Sequence, residues 1–322
     1  MTDKSRIIAA NADGIAAAAA VLDAGGIVAV PTETVYGLAA RAGDAAAVAR
    51  IYAAKGRPRF NPLIVHVADA AAAAALVGVS PLAAALMAAF WPGPLTLVLP
   101  RRADADVAAL VSAGLDTLAV RCPAHPVMQA LIARCGPLAA PSANASGRIS
   151  STTAAHVAAT LAGRVPLILD GGACAAGVES TIVAVSDGGW QLLRPGAVAA
   201  ESLAAVAGNP TPRPAQKRSD SRGAAGIIAP GMLESHYAPR QPVRLAALTA
   251  GSEEFHIGFG TITGDANLSV SGDLIEAAAR LFDLLHIAEA SGRTAIAVAP
   301  VPETGLGCAI NDRLRRAAAP RD

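Results

Sequence analysis

The chain has 322 residues and a formal net charge of +1. This length allows two domains with separate cores, and the near-zero charge excludes the overall basic excess that dominates nucleic-acid-binding proteins. Four widely spaced cysteines without a C-x-x-C pair argue against a structural zinc site or a disulfide framework, and they predict reduced, buried thiols. The start of the sequence lacks the apolar core typical of a signal peptide, so we expect a cytoplasmic protein.

Helices and strands alternate along the first part of the chain. The pattern predicts an alanine-rich helix over 15–24 that stops at Gly25, a buried strand over 27–30, and a helix over 44–54 with Asp44 as its N-cap. Further strands are predicted over 63–68, 95–100 and 117–121 and within PLAAPSAN, VPLILDGG, STIVAV and WQLLRPG, and further helices over 125–136 and within TTAAHVAATLAG. This alternation predicts an α/β layer fold with a mixed, twisted sheet.

Residues 70–100 carry no charged side chain and are numerous enough to imitate a membrane span. Pro81, Pro92, Gly93 and Pro94 interrupt the stretch, and alanine, its commonest residue, is only weakly lipophilic. We therefore interpret it as a short buried helix, a turn and a strand, and we expect no contact with a membrane.

The composition changes at residue 208. The segment GNPTPRPAQKRSDSRGAAGIIAP is rich in Pro, Gly, Ser and Arg, which is typical of a linker. Beyond it, the runs VRLAAL, HIGFG and TAIAVAP and helices over 273–290 and near 310–319 form a second α/β pattern. The predicted division is a catalytic domain over 1–207, a linker or lid over 208–239, and a smaller C-terminal α/β, Rossmann-like domain over 240–322.

One basic stretch, AAKGRPRFNP, stands out because the chain contains neither a P-loop motif nor a G-x-G-x-x-G fingerprint. Lys55, Arg57 and Arg59 alternate, and in an extended loop they would point to one side. Gly56 and Pro58 would shape and stiffen that loop. A polyphosphate would neutralise the three cations, and a solvated basic loop is the equally weighted alternative.

Polar side chains also gather at the predicted strand ends. Arg121 closes the buried run TLAVR and needs an anionic partner, either a ligand or a structural carboxylate. Ser142 and Asn144 in PSAN are two residues apart, so their side chains would point the same way. The segment is either a ligand-binding loop or an ordinary turn. His66 lies on an apolar strand, as a core residue or as part of a site. Further polar residues lie at the ends of predicted strands, namely Thr32 to Thr34, Glu179 to Thr181, and Arg194.

Many ordered segments resemble the threonylcarbamoyl-AMP synthases with the YrdC-like fold. They are GGIVAVPTETVYGLAA, KGRPRFNPLIVHV, WPGPLTLVLP, TLAVRCPAHP, AAPSANASG, DGG, GVESTIV and LLRPG, which together span about residues 7–200. The segments APGMLESHYAP and GLGCAINDRLRRAA resemble the long, two-domain form of that family. The resemblance implies a YrdC-like twisted mixed sheet with flanking helices, followed by a smaller domain.

The resemblance also implies a reaction in which L-threonine, bicarbonate and ATP give threonylcarbamoyl-AMP and pyrophosphate. Such an enzyme is a nucleotidyltransferase, and a tRNA-modifying transferase complex would use its product on adenosine in ANN-decoding tRNAs. A weak contact with tRNA itself belongs to this expectation. Mg²⁺ is expected to be held mainly through ATP phosphates, because the sequence shows no obvious carboxylate pair for it.

Site residues can be carried over from the family motifs. The implied threonine site consists of Thr34, His66, Arg121, Ala140 and Ser180. The implied ATP site consists of Lys55, Arg57, Asn61, Thr117, Ser142, Asn144, Ser150, Arg194, His236 and Tyr237. Within these sets, Lys55 and Arg57 are the expected catalytic cations, Arg121 the carboxylate ligand, and His236 and Tyr237 a lid.

Two other functions compete with this one. An RNA-binding or ribosome-associated module could use the basic loop without catalysis. A related carbamoyl-transfer enzyme acting through a carbamoyl adenylate would need accessory zinc-finger or acylphosphatase segments, and this sequence has neither.

Overall fold

The computed structural model describes residues 5–161, 163–211 and 236–320. Its larger sheet contains β1 Arg6–Ala9, β2 Val28–Val30, β3 Gly37–Arg41, β4 Ile64–His66, β5 Leu95–Pro100, β6 Thr117–Arg121, β7 Leu138–Ala139, β8 Leu167–Asp170, β9 Thr181–Ser186 and β10 Gly189–Arg194. Its helices are α1 Ala12–Asp23, α2 Ala45–Lys55, α3 Ala70–Ala74, α4 Pro81–Phe90, α5 Ala109–Ser112, α6 Pro126–Cys135, α7 Ala154–Leu161 and α8 Ala200–Ala207.

The strands of this sheet follow the order β1-β8-β2-β3-β7-β4-β6-β5-β9-β10. The sheet combines parallel pairs, such as β4 with β6 and β5 with β9, with antiparallel pairs, such as β5 with β6 and β9 with β10. The predicted mixed, twisted sheet is therefore confirmed.

A smaller sheet occupies the C-terminal part of the chain. It contains β11 Val243–Arg244, β12 Glu254–Gly258, β13 Ala266–Asn267 and β14 Ala295–Val298, and its helices are α9 Leu274–Ala290 and α10 Leu306–Ala318. All of its strand pairs are parallel, in the order β11-β14-β12-β13. This arrangement confirms the second α/β unit, whereas most of the predicted linker, 212–235, lies outside the described residues.

Capping residues set the predicted helix boundaries. The Asp44 carboxylate accepts hydrogen bonds from two backbone amides of α2, and Asp69 and Asp273 cap α3 and α9 in the same way. Gly25, at φ +73°, follows the end of α1 in the left-handed conformation that favours glycine. Several boundaries differ from the prediction. The helix α1 begins at Ala12 rather than at 15, α10 begins at Leu306 rather than near 310, and only two residues of VRLAAL form a strand.

Side-chain alternation along the strands separates two apolar layers. Val28 and Val30 of β2 face the layer that contains α1 and α6, while Ala29 faces the opposite layer, which contains α2, α4 and α7. Residues of β8 divide in the same manner, with Leu167 on one face and Ile168 on the other. The large sheet is thus covered by helices on both faces and carries its loops at its edges.

The uncharged stretch forms α3, α4 and β5, so it contains two helices where one was predicted, followed by the predicted strand. Among the described residues, we find no helix with the length and apolar character needed to cross a membrane. All four cysteines are free, and Cys122, Cys135 and Cys174 are buried.

The two sheets share one apolar interface. Val35, Ile149 and Val178, from loops of the large sheet, pack into the cluster formed by α9, α10 and the small sheet. Gly177 approaches α9 closely, because a Cβ built on it would lie 2.3 Å from the carbonyl oxygen of Ala278 in that helix. Its φ of +66° also belongs to the region that side-chain-bearing residues rarely adopt.

Gly177→Ala is expected to destabilise the protein more than Gly172→Ala does. Gly172 has φ +81° in the same loop but open space around its Cβ position, so its substitution costs only the left-handed conformation, about 1–2 kcal/mol. The methyl group at 177 must additionally push α9 away. Thermal unfolding of both variants tests this, and equal losses in Tm would contradict the close approach.

Candidate active site

One cavity collects the polar groups found at the strand ends. It lies among the loop between β2 and β3, the ends of β4, β6 and β10, the turns after α2 and β7, and the segment that leads to β11. Its lining consists of Thr32, Thr34, Val35, Gly37, Arg57, Ile64, His66, Arg121, Ala140, Pro141, Ser142, Glu179, Ser180, Arg194, His236 and Tyr237.

Arg121 is buried at the end of β6 and reaches across the cavity to the loop after β2. Its Nη1 donates to Thr34 Oγ1 at 2.9 Å, and its Nε donates to the Gly93 carbonyl at 3.1 Å. Nη2 lies 2.7 Å from Glu33 Oε1, and at least one of its two N–H groups has no partner among the described residues. Arg121 therefore has a structural ion pair and retains donor capacity for a ligand.

Glu33 stays ionised despite its partial burial. Burial alone would raise the pKa of its carboxyl group, but the positive charge of Arg121 and a hydrogen bond from the Ala124 amide bring that pKa below its ordinary value. One carboxylate thus already accompanies Arg121, so an incoming carboxylate would share the guanidinium with it.

His66 ends β4, beside Arg121 on the paired strand. Burial, with the neighbouring positive charge of Arg121, lowers the pKa of His66 to about 3. The ring is therefore neutral at physiological pH, and its Nδ1 has no hydrogen-bond partner in the described part of the chain. This histidine can offer a hydrogen bond to a ligand but is too weak a base to hold a proton at neutral pH.

The basic stretch does not have the geometry that its alternation predicts. Lys55 is the last residue of α2, and Gly56, at φ +60°, turns the chain directly after it. Lys55 and Arg57 are buried, whereas Arg59 is exposed. The prediction of an extended loop with three cations on one side is thus wrong, because the helix continues one residue beyond Ala54 and turns Lys55 inward.

Lys55 holds the PSAN loop. Its Nζ donates to the carbonyl oxygens of Ser142 at 2.6 Å and Asn144 at 2.5 Å. Burial, with the positive charges of Arg57 and Arg164, brings its pKa well below the ordinary value. Lys55 does not line the cavity itself, but it fixes the backbone next to Ser142, which does.

Arg57 faces the cavity on a support made by its own loop. Its Nη2 donates to Asn61 Oδ1 at 2.6 Å and to the Pro62 carbonyl at 2.8 Å, and its Nε donates to the Asn61 carbonyl at 3.1 Å. Burial lowers its pKa to about 10, although Tyr52 and Tyr237 act in the opposite direction. Asn61 thus acts on the cavity through Arg57.

Arg194 and Ser180 form a second polar unit. Arg194 donates to the Ser180 carbonyl through both Nε and Nη2, and Nη2 also lies 3.2 Å from Ser180 Oγ. That hydroxyl in turn lies 2.7 Å from Thr96 Oγ1 in β5. The network fixes the Ser180 hydroxyl at the wall of the cavity.

Glu179 is the acidic residue of the lining, and the motifs alone gave it no role. Its Oε1 accepts a 2.5 Å hydrogen bond from Ser150 Oγ, and its Oε2 pairs with Arg313 Nε of α10 at 2.8 Å. Burial would raise the pKa of Glu179, but Arg313 and Arg194 more than counteract burial and hold the pKa below its ordinary value. The partner in α10 is too distant in sequence for a motif to indicate.

His236 and Tyr237 close one side of the cavity. Their rings stack with centroids 4.2 Å apart and planes 4° from parallel, and Tyr237 has a φ of +61°. The Tyr237 hydroxyl has no hydrogen-bond partner among the described residues. A non-glycine residue in this conformation, with a buried unpaired hydroxyl, is a feature typical of ligand-binding sites.

The structure brings most of the predicted site residues into the lining, namely Thr34, Arg57, His66, Arg121, Ala140, Ser142, Ser180, Arg194, His236 and Tyr237. Four others, Lys55, Asn61, Asn144 and Ser150, lie behind it. Lys55, Asn61 and Ser150 contact lining residues, and Lys55 also holds the Asn144 carbonyl. Thr117 begins β6, at the end of that strand opposite to Arg121, and does not line the cavity.

Two family models match consecutive parts of the chain. A model described as "Telomere recombination", for the Sua5, YciO and YrdC proteins, matches residues 20–196, and a model described as "Threonylcarbamoyl-AMP synthase, C-terminal domain" matches residues 198–319. The chain belongs to the threonylcarbamoyl-AMP synthase family. Both parts of this family's long form are therefore present.

Individual relatives agree with this assignment. The chain is 42% identical to a threonylcarbamoyl-AMP synthase of Bacillus subtilis, over 98% of this chain and 95% of the relative. It is 41% identical to a Pyrococcus abyssi protein of the same name, over 94% of both chains. Among solved structures, P. abyssi Sua5 complexed with L-threonine superposes with a TM-score of 0.85 at 39% identity, covering 94% of each chain.

Lys55 gives the stability of this family member a pH dependence that Lys55→Met should remove. The pKa of Lys55 is lower in the folded chain than in the unfolded chain, so unfolding takes up a proton, and stability rises as pH rises towards the unfolded pKa. Between pH 7 and pH 10, the wild type should therefore gain free energy of unfolding relative to Lys55→Met. Denaturant titrations at several pH values measure this difference, and parallel pH profiles would contradict it.

Proposed function

We propose that the protein is an L-threonylcarbamoyladenylate synthase, a nucleotidyltransferase that makes threonylcarbamoyl-AMP and pyrophosphate from L-threonine, bicarbonate and ATP. The observation that carries this proposal is the charge of the cavity. Three buried guanidinium groups, those of Arg57, Arg121 and Arg194, line it together with the single carboxylate of Glu179. Such a surface favours anionic ligands, here an amino-acid carboxylate and a triphosphate.

Threonine would bind at the Arg121 end. The guanidinium has unused donor capacity at Nη2, and a carboxylate is the planar acceptor that suits it. The amine and hydroxyl groups of threonine would be surrounded by the hydroxyls of Thr34 and Ser180, the neutral ring of His66 and the backbone at Ala140. The P. abyssi structure complexed with L-threonine supports an amino-acid site in this fold.

ATP would occupy the side formed by Arg57, Arg194 and the PSAN loop. In this proposal Arg57 contacts the phosphates directly, while Lys55 acts by fixing the Ser142 and Asn144 carbonyls, with Asn61 and Ser150 as supports. His236 and Tyr237 would cover the nucleotide. Thr117 remains a proposed ATP ligand only on the strength of the family motif.

The chemistry needs protection and positioning rather than a strong base. The threonine amine captures carbon dioxide derived from bicarbonate and forms a carbamate, which breaks down readily in water. A carbamate oxygen then attacks the α-phosphorus, the bond to the bridging oxygen breaks, and pyrophosphate leaves with the electron pair. A buried cavity holds the reactants together and excludes water, and preset guanidinium groups stabilise the charge that develops on the phosphates.

Magnesium enters this proposal as part of the Mg–ATP substrate. The described residues contain no cluster of three or more His, Cys, Asp or Glu side chains that could hold a metal ion, and the carboxylates of Glu33 and Glu179 are already paired with arginines. These residues therefore fit a magnesium ion that is held by the ATP phosphates better than one that is bound by the protein itself.

The product would pass to a tRNA-modifying transferase complex, and we propose a cytoplasmic location because tRNA and ATP are both available there.

A non-catalytic RNA-binding module is the second candidate function, but the geometry of the basic stretch disfavours it. Of the three cations, only Arg59 is exposed, whereas Lys55 and Arg57 are buried and engaged with protein carbonyls. A buried cation cannot neutralise a phosphate on an RNA surface.

The purified protein is expected to release pyrophosphate from ATP only when both threonine and bicarbonate are present, and without any RNA. A coupled pyrophosphate assay with each component omitted in turn measures this, and mass spectrometry detects the adenylate. Pyrophosphate release that ignores threonine, or that requires RNA, would overturn the proposed reaction.

Arg121→Gln should raise the KM for threonine about a hundredfold, because a buried charge pair of this type is worth several kcal/mol, while the KM for ATP changes little. Arg41→Gln is the matched control, since Arg41 forms an exposed ion pair with Asp23 and does not line the cavity. Initial rates with either substrate varied separate the two constants. An unchanged KM for threonine would remove Arg121 from the carboxylate site.

A further inference from the structure

The C-terminal helix α10 sends one charged side chain towards the cavity. Arg313 has no exposed surface, although it lies on a helix whose other arginines, Arg315 and Arg316, are more accessible. Its Nε pairs with Glu179 Oε2 at 2.8 Å, and its Nη1 donates to the Pro195 carbonyl at 2.8 Å. One residue of the small C-terminal unit thus meets the large sheet exactly where that sheet forms the site.

Arg313 Nη1 also lies 2.8 Å from Asp312 Oδ2 of its own helix, and its other partners belong to the cavity or adjoin it. Glu179 lines the cavity, and Pro195 follows the lining residue Arg194. The Arg313 guanidinium also lies 5.2 Å from the ring centroid of Tyr237, another lining residue. The three contacts therefore fix three separate parts of the cavity wall.

We propose that Arg313 is a positioning residue through which the C-terminal unit sets the geometry of the catalytic cavity, by holding Glu179, the Arg194–Pro195 backbone and Tyr237 in place. This inference rests on the proposed function. Glu179 would in turn hold Ser150 through its second oxygen. The C-terminal unit is then a working part of the active site rather than an appendage.

Docking of α10 does not by itself explain a charge at this position. Ile310 and Leu314 of the same helix already pack into the shared apolar cluster. A buried ion pair is weak evidence for stability, because well-packed apolar side chains of similar size often serve equally well. The charge is better explained by what it does to Glu179 and to the neighbouring backbone.

Several charged and titratable groups influence Glu179. Arg313 and Arg194 lower its pKa directly, against the effect of burial. Lys55, His236 and Tyr237, from α2 and the segment before β11, also interact with it electrostatically. Burial raises the pKa of Glu179, and without Arg313 the remaining positive charges offset less of this effect. The pKa of Glu179 should therefore rise, and its carboxyl group should protonate at a higher pH.

Arg313→Met tests the proposal in the full-length chain. We expect threonine-dependent pyrophosphate release to fall about a hundredfold, mainly in kcat, because displaced groups misalign the reactants. The acid limb of the pH–rate profile should also move to higher pH, and Glu179→Gln in the Arg313→Met background should remove that limb without a further large loss. Arg315→Met, which breaks only an exposed pair with Glu303, should behave like the wild type.

The outcomes separate this inference from the proposed function. An inactive wild type would overturn the proposed function itself. An active wild type, with a folded Arg313→Met variant that keeps the wild-type kcat and pH profile, would overturn the role of Arg313 alone. If Arg313→Met does not fold, Arg313→Lys is the deciding variant. Lysine keeps the positive charge but cannot contact Glu179 and the Pro195 carbonyl together, so a reduced kcat with an unshifted acid limb supports the proposal. Wild-type kinetics in this variant would overturn it.

Discussion

The burial of three guanidinium groups around one cavity is the constraint on which the rest of this structure depends. Arg57, Arg121 and Arg194 are each at least nine-tenths buried, and such charges are costly unless hydrogen bonds and counter-charges accompany them. The protein meets this cost with carbonyl and hydroxyl acceptors and with the carboxylates of Glu33 and Glu179. The remaining positive potential is what an anionic substrate would neutralise.

Both α/β units contribute to this arrangement of charges. The large sheet supplies all three guanidinium groups, but the Glu179 carboxylate among them is held from α10 of the small unit. The same interface brings Gly177 against the backbone of α9 and places Tyr237 in contact with Phe282 and Arg313. The packing between the units and the shape of the cavity are therefore parts of one arrangement.

Local signals in the sequence predicted much of this fold. Caps such as Asp44, and apolar runs such as β5 and β6, act over a few residues and could be identified without the structure. The strand β3, Gly37–Arg41, was not predicted, because its alanines have low strand propensity and its conformation depends on pairing with β2 and β7.

The site was predictable where a polar residue ends a strand, as Arg121 and Arg194 do, because neighbouring strands bring such ends together. It was not predictable where one additional helical residue decides the direction of a side chain, or where two interacting residues are distant in sequence. Lys55 turned inward because α2 extends by a single residue beyond the prediction. Glu179 and Arg313 are 134 residues apart, and no spacing rule connects them.

The most direct measurement of the central claim is a crystal structure with L-threonine and a non-hydrolysable ATP analogue bound together. The account predicts the threonine carboxylate within about 3 Å of the Arg121 guanidinium, and the phosphates against Arg57 and Arg194 in the same cavity. A nucleotide bound elsewhere, or a threonine carboxylate that does not contact Arg121, would contradict it.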